Sequence, residues 1–171
     1  MQHCRHLIPL RPIGTRGAFT GNVPNNWFKA EAQLTEFPTV QEVVALALID
    51  PSGRVLMQRR PTAKQHGGLW EFPGGKVELG ETLTFALVRE LEEELALTLD
   101  QADLKYLTSA ADAAAGLVIF LYTCRVWRGE PVCLDAEALG WFTPVNFGAL
   151  AMPPLDRPLA AALTQLLKSA I

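Results

Sequence analysis

The chain has few cysteines, no long apolar run and no excess of basic residues. Its 171 residues include only three cysteines, Cys4, Cys124 and Cys133, without CxxC spacing; this pattern predicts free thiols in a reducing cytoplasm. The longest uninterrupted apolar run, Val43 to Ile49, is far too short to span a membrane. A formal net charge of −3 does not provide the basic surface that long nucleic acids require. These absences argue against a membrane span and a nucleic-acid partner.

The first part of the chain differs from the rest. Residues 1–36 are rich in Pro, Gly and Asn and contain no acidic residue before Glu31. We therefore predict an N-terminal extension of unknown role over residues 1–40 and one folded domain over residues 41–171. In that domain, Val43–Ile49 and Arg54–Arg59 are predicted to pair as strands, and Leu159–Ala170 to form a terminal helix. Strands that bracket two helices predict an α/β (α+β) fold with a sheet between helices.

A predicted helix beginning near Thr82 has one apolar and one acidic face. Leucines recur every four residues along it, at Leu87, Leu91 and Leu95. Glutamates at i, i+3 and i+4 share a separate face: Glu90, Glu93 and Glu94. Hard cations such as Mg²⁺ prefer carboxylate oxygens, so these glutamates are candidate metal ligands for a diphosphate substrate. The alternative is a solvated acidic surface, although like charges at this spacing repel one another.

The segment from Gly75 to Leu97 resembles the Nudix box. Gly75, Glu81 and the run from Arg89 to Leu97 match its pattern, except that Ala96 stands where the family has Gly. That Gly usually ends the helix in a left-handed conformation, which Ala adopts only with strain. The exception concerns the end of the helix and leaves the carboxylates in place.

Further segments are similar to the MutT-type branch of this family, over roughly Gln41 to Lys168. They are residues 56–60 (LMQRR), residues 69–76 (LWEFPGGK) and residues 152–159 (MPPLDRPL). The resemblance implies a Nudix fold, with a mixed β-sheet sandwiched between α-helices. It also implies hydrolysis of nucleoside triphosphates to monophosphate and pyrophosphate, with Mg²⁺ or Mn²⁺ as cofactor, by a monomer or homodimer. The leading expectation is removal of 8-oxo-dGTP. Alternatives are CTP or dCTP, ADP-ribose, a dinucleoside polyphosphate, or a non-catalytic nucleotide sensor.

By the same resemblance, Glu90, Glu93, Glu94 and the backbone carbonyl of Gly74 hold the metal ions. Asp135, six residues before Trp141, corresponds to the carboxylate that acts on the attacking water; Glu137 is the reserve candidate, and Glu90 also stays open as the base. Arg89 either orients the glutamates or forms an ordinary helical ion pair. Glu81 either reaches Arg89 or caps the helix.

The predicted substrate site takes its residues from the MutT-like segments: Arg60, Glu71, Phe72, Pro73, Gly74 and Asp156. Arg60 would meet phosphate or base, or is a surface charge, and Phe72 and Pro73 either wall the base pocket or fill the core. Asp156 stands where the MutT branch has Asn. An ionised Asp only accepts hydrogen bonds, whereas 8-oxoguanine presents both a donor and an acceptor. Either Asp156 is neutral when the base binds, or the preferred base carries an amino group there.

Overall fold

The computed structural model describes residues 40–169. Residues 1–39, which make up nearly all of the predicted extension, lie outside the described part of the chain, as do residues 170–171. The elements follow in this order: β1 (Gln41–Leu48), β2 (Val55–Arg59), β3 (Trp70–Glu71), α1 (Leu83–Leu95), β4 (Lys105–Asp112), β5 (Leu117–Cys124), β6 (Ala138–Phe142) and α2 (Asp156–Ser169). Short 3₁₀ turns occupy Gln101–Asp103 and Pro144–Ala149. No helix among the described residues is long and apolar enough to cross a lipid bilayer.

The strands form two three-stranded sheets. One has the order β1-β5-β4, with β1 parallel to β5 and β4 antiparallel to β5. The other has the antiparallel order β3-β2-β6. The α+β fold class with mixed strand pairing is therefore confirmed.

The predicted pairing of β1 with β2 is wrong, since only an isolated bridge joins Ile49 to Val55. Both hydrogen-bonding edges of β1 are already occupied. On one edge lies β5. On the other, the extended segment 73–77 pairs with β1: Val44 N–H donates to the Gly75 carbonyl and Leu46 N–H to the Pro73 carbonyl, each at 2.9 Å. This arrangement places the glycine-rich segment directly beside the central strand.

Alternate side chains of β1 belong to two different cores. Val44, Leu46 and Leu48 pack in a cluster with the leucine stripe of α1. Ala45, Ala47 and Ile49 pack in a second cluster with residues of α2. A strand that buries both of its faces is expected where helices cover a sheet on both sides. The predicted layer of sheet between helices is therefore confirmed.

Helix α1 has defined signals at both ends. The Thr82 hydroxyl accepts a hydrogen bond from Phe85 N–H at 3.2 Å, an N-cap interaction. At the other end, Ala96 adopts the left-handed conformation, with φ 55° and ψ 31°. Ala96 N–H donates to the Glu92 carbonyl at 3.0 Å, the bond that closes a helix in the αL motif. The expected left-handed exit is present without glycine.

One predicted boundary is corrected. Helix α2 begins at Asp156 rather than Leu159. Pro158 falls in its first turn, where a missing N–H costs nothing. Asp156 is thus a helical residue rather than part of a loop.

Candidate active site

The glycine-rich segment passes between β1 and α1, and the backbone of Gly74 packs tightly against β1. Gly74 has a φ of +145°, and a β-carbon there would collide with the Val44 carbonyl oxygen. Its N–H points toward Glu94 Oε2, at 3.4 Å. While the neighbouring carbonyls of Pro73 and Gly75 bond to β1, the Gly74 carbonyl accepts no hydrogen bond within residues 40–169. That oxygen is available as a cation ligand.

Gly75 lies against the carboxylate of Glu90. A β-carbon at Gly75 would overlap all three atoms of the Glu90 carboxylate group. Glycine at this position therefore gives the Glu90 side chain its space. This contact explains why the first position of the predicted box is a glycine.

Arg89 connects the acidic residues at the start and middle of α1. Its Nε and Nη2 donate to the two oxygens of Glu81 at 2.8 and 2.9 Å. Its Nη1 donates to Glu90 at 3.0 Å and to Glu93 at 3.1 Å, and Nη2 also reaches the Lys76 carbonyl. Hydrogen bonds from Arg89 and Glu78 hold the pKa of Glu81 down at about 2, and the pKa of Arg89 is raised, first by its bond to Glu81. Arg89 therefore contacts two of the candidate metal ligands, Glu90 and Glu93, and also Glu81, which lies just before the helix.

Glu94 is a partly buried box glutamate that faces β2. Its Oε2 accepts from Gln58 Nε2 at 3.2 Å. Burial raises the pKa of Glu94 to about 7; the nearby charges of Glu90 and Asp135 raise it further, and the hydrogen bonds from Gln58 and Gly74 oppose the rise. Within residues 40–169 no cationic side chain forms an ion pair with Glu94, and a divalent cation would supply the positive charge.

The donor set fits a hard divalent cation, but the side chains are not gathered around one point. Within the described residues, no three His, Cys, Asp or Glu side chains stand close enough together to hold an ion. Arg89 draws Glu90 and Glu93 toward itself, whereas Gln58 holds Glu94. The metal site predicted from the sequence therefore stays a prediction, and it requires Glu90 and Glu93 to rotate from Arg89 toward Glu94.

The loop before β6 brings Asp135 to the end of α1. Leu134 N–H donates to the Glu94 carbonyl at 3.1 Å, and Val132 N–H donates to the Leu95 carbonyl at 2.9 Å. These bonds satisfy carbonyls that the helix end leaves free. Asp135 itself is 57% exposed and pairs with Lys64 at 2.6 Å. The reserve residue Glu137 is turned toward Arg59, with 3.7 Å between Oε2 and Nε.

A cavity of about 570 Å³ opens beside the glycine-rich segment. Five of the six predicted substrate-binding residues line it: Arg60, Glu71, Phe72, Gly74 and Asp156. The sixth, Pro73, does not line this cavity and instead bonds to β1 through its carbonyl. A separate groove of about 600 Å³, between Pro144–Ala149 and α2, contains none of the predicted residues. The cavity beside the glycine-rich segment is therefore the candidate nucleotide site.

An ion pair and a buried carboxyl group are among the ionisable groups of this cavity. Arg60 Nη1 lies 2.5 Å from Glu71 Oε2, so Arg60 is not an isolated surface charge. Burial raises the pKa of Glu71 against the opposing effect of Arg60. Asp156, only 5% exposed, accepts from Phe72 N–H at 3.1 Å. Burial raises the pKa of Asp156 to about 7, assisted by the Glu71 charge and opposed by the Phe72 bond and Arg60. The Phe72 ring fills the core and packs edge-on against Phe147.

Two residues near the site were given no role by the sequence argument. Lys64 pairs with Asp135 and also lines the cavity; nothing in its loop sequence predicts this. Gln58 bonds to Glu94 and lies 3.4 Å from Glu71. A signal for Gln58 existed, because a polar residue follows three apolar ones in a strand whose alternation predicts an inward side chain.

The fold is shared with known proteins. A family model described as the NUDIX domain matches residues 39–163. The CTP pyrophosphohydrolase of Escherichia coli is 37% identical over 127 residues, covering 73% of this chain and 92% of that protein. The 8-oxo-dGTP diphosphatase of Escherichia coli is 29% identical over 124 residues, covering 72% and 96%. A solved MutT structure, from work on the Aliivibrio salmonicida and Vibrio cholerae proteins, superposes with a TM-score of 0.66 at 27% identity, covering 74% of this chain and 98% of that one.

The chain belongs to the Nudix family of hydrolases. The family resemblance expected from the box, including its α+β fold, is confirmed.

Proposed function

We propose that this protein hydrolyses nucleoside triphosphates to nucleoside monophosphate and pyrophosphate, with 8-oxo-dGTP as the leading substrate. The observation that carries the proposal is the adjacency of two sites along one short segment. The cavity residues Glu71 and Phe72 are followed by Gly74, whose N–H lies 3.4 Å from Oε2 of the box residue Glu94 and whose carbonyl accepts no hydrogen bond within residues 40–169. A nucleotide with its base in the cavity would therefore extend its phosphates toward the carboxylates.

The proposed cofactor is Mg²⁺, with Mn²⁺ as a substitute. Glu90, Glu93, Glu94 and the Gly74 carbonyl would hold it, and when bound it supplies charge neutralisation for the triphosphate and activation of water. Arg89 keeps Glu90 and Glu93 oriented until they turn toward the cation. Gln58 and Gly74 N–H hold Glu94.

Asp135 is the proposed general base. The loop bonds at the end of α1 hold it beside Glu94, whose pKa its charge raises, whereas Glu137 points to Arg59. Asp135 would take a proton from the attacking water while the oxygen of that water forms a bond to the middle phosphorus. The bond from that phosphorus to the oxygen of the first phosphate breaks, and this oxygen leaves with the monophosphate. Lys64, which pairs with Asp135, would release it to serve as the base.

The base would be read at Asp156. A neutral Asp156 can donate to O6 of 8-oxoguanine through Oδ2 while Oδ1, already bonded to Phe72 N–H, retains a lone pair for N7–H. A pKa of about 7 makes this neutral form accessible near neutral pH. The ionised form instead suits an exocyclic amino group. A cytosine nucleotide is therefore the second candidate, and the identity of 37% to a CTP pyrophosphohydrolase favours it.

The test is a comparison of 8-oxo-dGTP, dGTP, dCTP and dATP as substrates with Mg²⁺, in ¹⁸O-labelled water. We expect monophosphate and pyrophosphate as the direct products, with the label in pyrophosphate. Orthophosphate as the direct product, or label in the monophosphate, would exclude the proposed reaction. If dCTP is the best substrate of the wild type, the cytosine candidate replaces 8-oxo-dGTP.

Two comparisons separate the remaining alternatives. ADP-ribose and dinucleoside polyphosphates, assayed under the same conditions, should be turned over more slowly than the triphosphates. A protein that binds nucleotides without turning any over would be a sensor.

The proposed general base is tested by substitution. Asp135→Asn should lower kcat with little change in KM, whereas Glu137→Gln should leave kcat close to the wild-type value.

A further inference from the structure

Gln58 is a buried amide in an otherwise apolar strand. It lies in β2, the central strand of the β3-β2-β6 sheet, and is 5% exposed. The residues before it, Val55, Leu56 and Met57, are at most 1% exposed. A polar side chain in such a position requires hydrogen-bond partners.

The partners of Gln58 are two carboxylates that belong to different sites. Its Nε2 is 3.2 Å from Oε2 of Glu94 in the box helix and 3.4 Å from Oε1 of Glu71 in the cavity. Both carboxylates accept hydrogen bonds when ionised, so only the orientation with the nitrogen toward them is favourable. The two N–H hydrogens of one amide thus serve two separate acidic residues.

The oxygen of the Gln58 amide, in contrast, makes no hydrogen bond within residues 40–169. This atom, Oε1, is fully buried. An unpaired buried acceptor opposes folding, and an apolar side chain of the same shape would avoid it. Stability therefore does not account for an amide at this position, whereas its N–H donors do.

We propose that Gln58 is a positioning residue that holds Glu94 in place for the divalent cation and ties it to Glu71 in the nucleotide cavity. The inference rests on the proposed function, because it assigns Glu94 to the metal. Glu71 is bonded in turn to Arg60, so the contacts run without a break from Glu94 through Gln58 to the cavity wall. Gln58 does not line the cavity, so it would act only through these neighbours.

The primary test is Mn²⁺ binding to nucleotide-free protein, measured by EPR titration on the wild type and on Gln58→Met. Methionine keeps the length of the side chain and removes both donors. We expect the Kd for Mn²⁺ to rise by about 10-fold or more, as for other residues that orient metal ligands. The thermal midpoint in EDTA should stay close to that of the wild type, because loss of the unpaired oxygen offsets loss of the two hydrogen bonds to the carboxylates. Met57→Leu, a buried change on the other face of the same strand, should alter neither quantity.

Turnover gives a second readout. At subsaturating Mg²⁺, Gln58→Met should lower kcat for 8-oxo-dGTP or dCTP by about 10-fold or more, with a smaller change in KM, and additional Mg²⁺ should restore part of the loss. Gln58→Asn, which keeps the amide but is too short to reach both carboxylates, serves if the Met variant does not fold. Absence of triphosphate turnover by the wild type would remove the proposed function, and the Mn²⁺ titration would still decide the role of Gln58. Mn²⁺ affinity within twofold of the wild type, or a loss matched by a lower thermal midpoint, would overturn the positioning role.

Discussion

Asp156 accepts a hydrogen bond from the backbone N–H of Phe72, with 3.1 Å between the nitrogen and Oδ1. This bond joins the first turn of α2 to the segment that continues into Gly74 and Gly75. The residue proposed to read the base is thus fixed to the same backbone segment whose Gly74 carbonyl is a proposed metal ligand. The charge of Asp156 is set at this contact, where burial and Glu71 raise its pKa to about 7 while Phe72 N–H and Arg60 oppose the rise.

The first prediction is that base preference depends on pH. Below pH 7 the neutral Asp156 can both donate to and accept from 8-oxoguanine, and above pH 7 the ionised form only accepts. The ratio of kcat/KM for 8-oxo-dGTP to that for dCTP should therefore fall by about tenfold between pH 6 and pH 8.5, the lower end of the effect of one mismatched buried hydrogen bond. Steady-state kinetics with both substrates at each pH measures this ratio.

Asp156→Asn provides the control, since its amide does not titrate in this range. The ratio for this variant should stay constant with pH and remain in favour of 8-oxo-dGTP. A ratio that changes equally in the wild type and in Asp156→Asn would assign the pH dependence to another group.

The second prediction is that Glu94→Gln has opposite effects on activity and stability. Loss of a proposed metal ligand should reduce kcat on the order of 10³-fold, as removal of other electrostatic groups from active sites does. Without metal, however, the Glu94 charge opposes folding, because burial raises its pKa to about 7. Glu94→Gln should therefore melt at a higher temperature than the wild type at pH 8 in EDTA, measured by calorimetry.

The pH dependence of that stability has a defined sign. A carboxyl with a raised pKa binds its proton more tightly in the folded state, so its contribution is full below the unfolded value and is lost as pH rises through about 7. The melting advantage of Glu94→Gln should accordingly shrink toward pH 5. A variant that keeps near wild-type kcat, or one that is less stable at pH 8, would contradict the assignment of Glu94.

The third prediction concerns Gly75, where a β-carbon would occupy the space of the Glu90 carboxylate. Gly75→Ala should displace Glu90 and reduce kcat on the order of 10²-fold, a typical cost of misplacing an active-site group by about 1 Å. The Mg²⁺ concentration that gives half-maximal activity should rise as well. Gly148→Ala is the matched control, because a β-carbon there meets nothing within 4 Å. Equal activity of the two variants would show that Glu90 is not held by this contact.

Local spacing explains why much of this site could be predicted from the sequence. The faces of α1 follow from residues three and four apart, so the leucine stripe and the three glutamates needed no knowledge of the fold. The strand partners of β1 could not be predicted in this way. Its two edges pair with β5 and with the segment 73–77, whereas the local pattern predicts pairing with β2. The strand pattern indicates only that Gln58 is buried; its partners could not be predicted, since its two acceptors come from β3 and α1 and meet only once both are packed.

The fourth prediction follows from Ala96, which ends α1 in the left-handed conformation with φ 55°. An L-residue with a β-carbon is strained there by about 1–2 kcal/mol, and glycine is not. Glycine loses more backbone entropy on folding, so Ala96→Gly should raise the free energy of unfolding by a net of about 1 kcal/mol or slightly less. Urea denaturation measures the change, and the metal requirement should not move because the Glu94 contacts are unaffected. Ala86→Gly, in the buried interior of the same helix, should instead lower stability by at least about 1 kcal/mol. If Ala96→Gly destabilised the protein as Ala86→Gly does, the strain at the helix end would be refuted.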